Sequence, residues 1–242
     1  MRPTKAEAAV RIAVLARAPV PGRAKTRLIP RLGAEGAARL QAWLIQRAVG
    51  TAHAAALGPV ALWCTPDARH PAFAAHARHA HLLTQPPGDL GRRMLAACAG
   101  DPHGAPPPGM TAAPSVSATP TLVIGTDCPA LSPEHLRAAA ACLLAGDDAV
   151  FYPAEDGGYV LVGLRRADAR VFQAIDWSTA RVMSQTRQRL RSLGWRWQEP
   201  ETLWDVDRPD DFERLLAWQP ALASLTMPHG QAQSQQAPPA ST

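Results

Sequence analysis

The chain has 242 residues, a formal net charge of +5 and a hydrophobic content of 47%, which is sufficient for a large globular domain with its own core. The 25 basic residues are interspersed with 20 acidic ones, a mixture that argues against nucleic-acid binding and favours a small polyanionic ligand. No run of about 18 apolar residues occurs, so we expect no membrane span. An N-terminus without a long apolar stretch, and cysteines without a C-x-x-C pair, predict a cytoplasmic protein with free thiols.

Strand and helix signals alternate along the chain, which predicts an α/β fold with a mainly parallel central sheet and helices on both faces. The predicted strands are 10–16, 60–64, 81–84, 122–125, 148–152 and 159–164. The predicted helices are one from Gly33 to before Gly58, then 71–79, 90–99, one opened by Ser132, 180–193 and 209–218.

Two segments fall outside this alternation. Residues 100–120 are rich in proline and have almost nothing to bury, so we predict a flexible surface insert. Residues 219–242 end in Gln, Ser, Ala and Pro, a composition typical of a mostly disordered tail. We therefore expect one folded domain over residues 1–218.

A basic loop, Arg17–Leu28, follows the first predicted strand. The carboxyl end of a leading strand is where open α/β sheets bind ligands, and cationic side chains there can hold the phosphates of a nucleotide. The candidate phosphate-binding residues of this loop are Arg17, Gly22, Arg23, Lys25, Thr26 and Arg27. The spacing is not that of a Walker A loop, and a solvated basic loop is the alternative interpretation.

Aspartates in two places are candidate ligands for Mg²⁺ or Mn²⁺. Asp127 directly follows a buried aliphatic strand, so it should lie at the same sheet edge as the basic loop, although it could simply cap a turn. Either Asp205 or Asp207 could supply a second carboxylate. Asp210 and Asp211 fit the first turn of helix 209–218 as partners of its dipole.

Two glycine-containing motifs add polar candidates. Gly157 and Gly158 allow backbone to approach a ligand, and Asp156 beside them is a candidate base on the acceptor side; a hairpin turn would also explain the glycines. The candidate nucleotide contacts around the start of helix 90–99 are Gln85, Asp89 and Arg93. Asp89 could instead act only on the helix dipole.

The order and spacing of six motifs resemble the radical-SAM/selenodomain-associated transferase family, also described as arsenosugar-biosynthesis glycosyltransferase-like. This family belongs to the nucleotide-diphospho-sugar transferase superfamily. The motifs are P-V-P-G-R-A-K-T-R-L, G-D-L-G-R-R-M, G-T-D-C-P, D-G-G-Y-V-L-V-G-L, I-D-W-S-T and W-D-V-D-R-P-D-D. The resemblance implies a GT-A type Rossmann-like fold that uses a divalent metal and a nucleoside di- or triphosphate.

The resemblance also implies roles for single residues. By position, the nucleotide-binding loop would consist of Pro21, Gly22, Lys25, Thr26 and Arg27, and the metal ligands would be Asp127 and Asp207. Arg208 replaces the threonine that related nucleotidyltransferases have at this position, and this removes a good N-cap from the last helix.

Three functions follow from these residues. The first is a metal-dependent glycosyltransferase with a nucleotide-sugar donor and a small-molecule acceptor, in which Lys25 and Asp127 serve the leaving diphosphate and Asp156 the acceptor. The second is a nucleotidyltransferase that condenses an NTP with a phosphorylated small molecule and releases pyrophosphate. The third is a non-catalytic nucleotide-binding partner protein. The sequence does not indicate an oligomeric state.

Overall fold

The computed structural model describes residues 10–100 and 119–226. Most of the predicted insert (101–118) and most of the predicted tail (227–242) lie outside the described residues. The chain divides into two compact units: residues 10–18 and 44–205 belong to the first, and residues 19–43 and 206–226 to the second. The single domain expected over residues 1–218 stays a prediction, and described structure continues past residue 218 to residue 226.

The first unit contains a 7-stranded sheet with the order β3-β2-β1-β4-β6-β5-β7. Its strands are β1 (Arg11–Arg17), β2 (Val60–Thr65), β3 (His81–Thr84), β4 (Thr121–Ile124), β5 (Ala149–Pro153), β6 (Tyr159–Leu164) and β7 (Trp197–Gln198). β1 pairs in parallel with β2 and β4, β2 pairs in parallel with β3, and β5 with β7. Only β6 runs against its neighbours, β4 and β5. The prediction of an α/β fold with a mainly parallel sheet is confirmed.

The helices are α1 (Ile29–Ala55), α2 (Leu90–Ala99), α3 (Pro133–Leu144), α4 (Val182–Ser192) and α5 (Pro209–Trp218). Short 3₁₀ helices cover Thr26–Leu28, Pro71–His76, Ala169–Phe172 and Pro220–Thr226. None of the helices in the described part of the chain has the length and apolarity that crossing a bilayer requires.

Hydrophobic side chains cover both faces of the sheet, because successive residues of a strand point to opposite sides. Val123 and Val162 belong to one buried cluster together with Met94 of α2 and Leu190 of α4. Their neighbours in sequence point the other way, where Leu143 of α3 packs near Gly163.

Several element boundaries differ from the sequence prediction. The predicted helix 71–79 is a 3₁₀ helix over Pro71–His76. The predicted helix start at Gly33 coincides with a break inside α1, where Gly33 has a φ of 68°. β7 and the 3₁₀ helix Ala169–Phe172 were not predicted, because segments this short carry too few residues to show a periodicity.

Gly163 lies in the interior of the sheet and tests how tightly the first unit is packed. A Cβ atom there would lie 2.5 Å from Val150 Cγ1 and 2.7 Å from Leu122 Cδ2. We expect Gly163→Ala to lower the free energy of unfolding by about 1–3 kcal/mol, because overpacking forces neighbouring side chains aside. Chemical denaturation measures this change.

The matched control is Gly50→Ala on the exposed side of α1, where a Cβ would meet no heavy atom within 4 Å. Alanine is the better helix former, so this variant should gain about 0.5–1 kcal/mol. Equal stabilities for the Gly163 variant and the parent would contradict the packing described for β6.

Candidate active site

The carboxyl ends of β1 and β4 bring Arg17 and Asp127 to one edge of the sheet in the first unit. In the parallel pair, Val14 of β1 lies opposite Ile124 of β4, and Arg17 and Asp127 lie equally far beyond this pair. Arg17 is exposed and Asp127 is half-buried. Thr126 Oγ1 donates a hydrogen bond of 2.9 Å to Asp127 Oδ1, which fixes the carboxylate at the start of the loop.

The loop after Asp127 is held in place by buried contacts. Arg47 Nε donates to the carbonyl oxygen of Pro129 at 2.6 Å. Burial, with a smaller contribution from the carboxylate of Asp205, raises the pKa of the Cys128 thiol to about 12. This thiol is therefore protonated near neutral pH and is no activated nucleophile. Because the charge of Asp205 acts on Cys128, this second carboxylate lies near the loop that carries Asp127.

Gln85, a predicted nucleotide contact, has a structural task. Its backbone N–H donates to the carbonyl oxygen of Cys64 at 2.9 Å. Its side-chain Nε2 donates to the carbonyl oxygens of Ala16 (3.1 Å) and Trp63 (2.7 Å). The side chain thus joins the ends of β1 and β2, which positions the segment that leads into α2.

Asp89 is the N-cap of α2, and its predicted contact with a nucleotide stays a prediction. Its Oδ1 accepts a hydrogen bond of 2.8 Å from the backbone N–H of Arg92. Such a cap stabilises a helix by roughly 1 kcal/mol. The Nε atoms of Arg92 and Arg93 are buried and have no hydrogen-bond partner among the described residues.

Asp156 lies in the turn after β5, at the same edge of the sheet as Asp127. Its Oδ1 accepts a hydrogen bond of 2.8 Å from the backbone N–H of Gly158, and its side chain is exposed. Gly157 has a φ of 91°, and a Cβ there would lie 2.3 Å from the carbonyl oxygen of Ala180. The turn therefore needs glycine for a close approach of the segment before α4, which a hairpin alone does not require.

The loop 175–181, which has no role predicted from its sequence, is fixed by several side-chain contacts. Asp176 N–H donates to Gln185 Oε1, and Gln185 Nε2 donates to Asp176 Oδ2, both at 2.8 Å. Arg181 adds an ion pair of 2.9 Å with Asp176. The sequence signal for this loop was the motif I-D-W-S-T, but the contacts that fix it depend on the fold.

From Pro19 onward, the basic loop belongs to the second unit. Gly22, with a φ of 76°, forms a turn in which the N–H groups of Arg23 and Ala24 donate to the carbonyl oxygen of Val20. Lys25 is left-handed, with φ and ψ both 47°, a conformation that few non-glycine residues adopt. Its Nζ donates to the carbonyl oxygen of Val206 at 2.6 Å.

The other predicted members of this loop are also exposed. Pro21 lies beside Gly22, and Thr26 begins the 3₁₀ helix Thr26–Leu28. The phosphate-binding role of the loop stays a prediction.

Asp207, a predicted metal ligand, lies in the second unit as the ion-pair partner of Arg27. The side chains are 39% and 62% exposed, respectively. Asp211 Oδ2 accepts hydrogen bonds from the backbone N–H groups of Asp207 (3.0 Å) and Arg208 (2.7 Å). Asp211 therefore compensates for the N-cap that Arg208 does not provide, and the predicted role of Asp211 at the start of α5 is extended.

The described residues contain no cluster of three or more His, Cys, Asp or Glu side chains placed to hold a metal ion. Mg²⁺ commonly needs only one or two protein carboxylates, because waters and substrate phosphates complete its coordination. Asp127, with Asp205 beside its loop, fits this kind of open site in the first unit.

Comparisons with known proteins support the fold. A protein from Desulfovibrio desulfuricans G20 with a provisional assignment as a nucleotide-diphospho-sugar transferase is 25% identical, with a TM-score of 0.68; the match covers 88% of this chain and 96% of that one. The CTP complex of CMP:2-keto-3-deoxy-manno-octonic acid synthetase is 13% identical, with a TM-score of 0.52, and covers 88% and 99%. This second likeness concerns the fold alone. No relative of curated function matches the chain.

The family model described as "Uncharacterized protein conserved in bacteria (DUF2064)" matches residues 48–179. The radical-SAM and arsenosugar association implied by the resemblance is not part of this description and stays a prediction. Since the match extends over more than half of the 242 residues, the chain belongs to the DUF2064 family and has a nucleotide-diphospho-sugar transferase-like fold.

Proposed function

We propose that the chain is a metal-dependent glycosyltransferase that uses a nucleotide-sugar donor and a small-molecule acceptor. The main support is the convergence of Arg17, Asp127 and Asp156 at the carboxyl edge of the sheet, where open α/β folds bind their ligands. The likeness to the Desulfovibrio protein, at 25% identity over most of both chains, favours a substrate of the same kind.

Asp127 would hold Mg²⁺ or Mn²⁺ by a carboxylate oxygen. When bound, such a cation neutralises the negative charge that develops on a departing nucleoside diphosphate. Asp205 and Asp207 are the two candidates for a second carboxylate. A cation on Asp207 would have to displace Arg27 from its ion pair. Asp205 lies close enough to Cys128, the neighbour of Asp127, for its negative charge to raise the pKa of that thiol.

The part of the basic loop that belongs to the second unit, from Pro19 onward, would bind phosphate oxygens. The turn at Gly22 and the left-handed Lys25 give this loop a fixed shape. The ion pair of Arg27 with Asp207 is largely exposed, and such pairs contribute only about 0–1 kcal/mol. The guanidinium could therefore exchange its carboxylate partner for a phosphate at little cost.

On the acceptor side, Asp156 would take the proton from the attacking hydroxyl. Its carboxylate is exposed and its orientation is fixed by the bond from Gly158 N–H. A general base needs such a fixed position within hydrogen-bond reach of the proton that it removes.

A nucleotidyltransferase is the second candidate function, because Lys25 and Asp127 could equally serve the loss of pyrophosphate from an NTP. The fold likeness to a synthetase solved with CTP is the observation in its favour. A non-catalytic nucleotide-binding protein is the third candidate, and it predicts binding without turnover.

The released product separates these functions. With UDP-, GDP- or CMP-linked sugars and Mg²⁺, we expect the protein to transfer the glycosyl group slowly to water and to release a nucleoside phosphate. With NTPs alone or with a sugar phosphate, we expect no pyrophosphate. Ion chromatography of both product classes is the measurement. Pyrophosphate that appears only with a phosphorylated acceptor would replace the proposal with the second candidate.

Asp127→Asn tests the metal ligand. Removing the negative charge should abolish the Mg²⁺-dependence of nucleotide binding and lower kcat/KM by at least about 10²-fold, because the cation can no longer be held. Isothermal titration with and without Mg²⁺ measures the first effect. Asp205→Asn and Asp207→Asn, measured alongside, identify the second carboxylate; metal-dependent binding that survives in Asp127→Asn would remove that residue from the site.

Lys25→Met tests the phosphate-binding loop. Loss of one charge-assisted contact should weaken nucleotide binding by about 10-fold, since hydrogen bonds to charged groups contribute about 1.5–3 kcal/mol. Arg170→Met is a matched control, because Arg170 is a surface cation paired with Asp168. Equal affinities of the two variants would contradict a role of Lys25 in phosphate binding.

A further inference from the structure

The loop 175–181 has a fixed and partly strained conformation, and none of its residues has a role in the proposed reaction. Besides the bonds between Asp176 and Gln185, Thr179 Oγ1 donates to the carbonyl oxygen of Asp176 at 2.8 Å. Ser178 has a φ of 64°, and non-glycine residues in this region cost free energy that the surrounding structure must supply. Strain of this kind is concentrated at ligand-binding sites.

Two glycines bring this loop against the carboxyl edge of the sheet. A Cβ on Gly91, in the first turn of α2, would lie 2.6 Å from Cζ2 of Trp177. On the other side, Gly157 contacts the backbone of Ala180, and its carbonyl oxygen accepts a hydrogen bond of 2.9 Å from Met183 N–H. α2 and the turn at Gly157 follow β3 and β5, so Trp177 lies at the same edge as Asp127.

The indole of Trp177 is half-buried, and its ring centroid lies 6.5 Å from that of Phe172. A large aromatic ring held from behind and partly open to solvent is suited to packing against a ring of a ligand. Leu90, next to Gly91, is an exposed large hydrophobic residue at 44%. The exposed Ser178 and Asp156 supply polar groups on the two segments that meet there.

The two arginines that follow Gly91 in α2 have unused hydrogen-bond donors. The Nε atoms of Arg92 and Arg93 are buried, and no described residue accepts a hydrogen bond from either. Buried donors without a partner are rare, because their desolvation is not compensated. Guanidinium groups bind phosphate and carboxylate through two parallel hydrogen bonds. An anionic group of a ligand would satisfy these donors once the two side chains turn and expose their Nε atoms.

We propose that Trp177, Arg92 and Arg93 bind the non-nucleotide substrate, and that this substrate is a hydroxylated ring with an anionic group. The indole would pack on the apolar face of the ring, and the arginines would hold its phosphate or carboxylate. This inference rests on the proposed function, because it assigns the second substrate of that site. It gives Arg93 a ligand different from the nucleotide predicted from the sequence.

Titration calorimetry with defined probes tests the inference. The probes are glucose 1-phosphate and glucuronate, which carry the two kinds of anion, neutral glucose, and Mg²⁺–UDP as the nucleotide. We expect the parent protein to bind at least one anionic probe more tightly than glucose. Trp177→Leu should weaken that probe by at least about 10-fold, while the affinity for Mg²⁺–UDP changes by less than about 2-fold.

Three further proteins make the result specific. Trp218→Leu removes an exposed indole of the second unit (46% exposed) and should change neither affinity. Trp177→Phe keeps an aromatic ring and should retain most of the sugar-anion affinity. Arg92→Gln/Arg93→Gln keeps the indole and should lose the preference for the anionic probes over glucose, which tests the subsite even if Trp177→Leu does not fold.

Several results would overturn the inference. One is no binding of either anionic probe to the parent at about 10 mM, and another is an unchanged affinity in both the Trp177→Leu and the double arginine variant. A loss confined to Mg²⁺–UDP would make Trp177 a platform for the base. The parent's own affinity for Mg²⁺–UDP reports on the proposed function independently, so the failure of one is distinguishable from the failure of the other.

Discussion

β1 is hydrogen-bonded in parallel on both sides, to β2 and to β4, and its inward side chains are almost completely buried. Parallel neighbours end at the same edge, so the pairing places the residues after β1 and β4 together whatever their distance in sequence. The amide of Gln85 then joins the ends of β1 and β2 and sets the direction of the chain into α2. Every candidate residue of the first unit depends on this edge.

The elements that the sequence predicted well are those with local signals. β1, β3, β6, α2 and α5 follow from runs of apolar residues and from local capping groups, such as Asp89 before α2. Asp127 could be placed at the sheet edge because an aliphatic strand directly precedes it. The antiparallel position of β6 between β4 and β5 could not be predicted, because strand order is decided by contacts between residues distant in sequence.

The same distinction applies to the candidate site. The sequence left Asp205 and Asp207 as alternatives for the second carboxylate. It indicated no role for Trp177 or for the double use of the Gln85 amide, since each depends on a partner far along the chain. Asp207 was predicted from a motif, but its pairing with Arg27 depends on the fold of the second unit. The local sequence can identify a candidate residue, but its hydrogen-bond and ion-pair partners in the fold determine whether it can bind a ligand.

The net charge of +5 does not show which charged side chains are paired with one another. Ion pairs bind Arg187 to Glu199, Arg170 to Asp168 and Arg196 to Asp147, so much of the arginine content is balanced locally. The buried Nε atoms of Arg92 and Arg93 are not balanced in this way among the described residues. The composition indicates a polyanionic ligand, and the side chains that could bind it are therefore a few groups at one sheet edge.

The cysteines give the protein a practical property for spectroscopy. Burial raises the pKa of Cys64, Cys98 and Cys128 to about 12, and it also raises that of Cys142. A thiol with a pKa of about 12 is ionised in roughly 1 molecule in 10⁴ at pH 8. A cysteine introduced at the exposed Ser178 would therefore react with thiol-directed dyes well before Cys64, Cys98 and Cys128. Replacing the partly exposed Cys142 alone would leave a reporter beside Trp177 as the main labelled site.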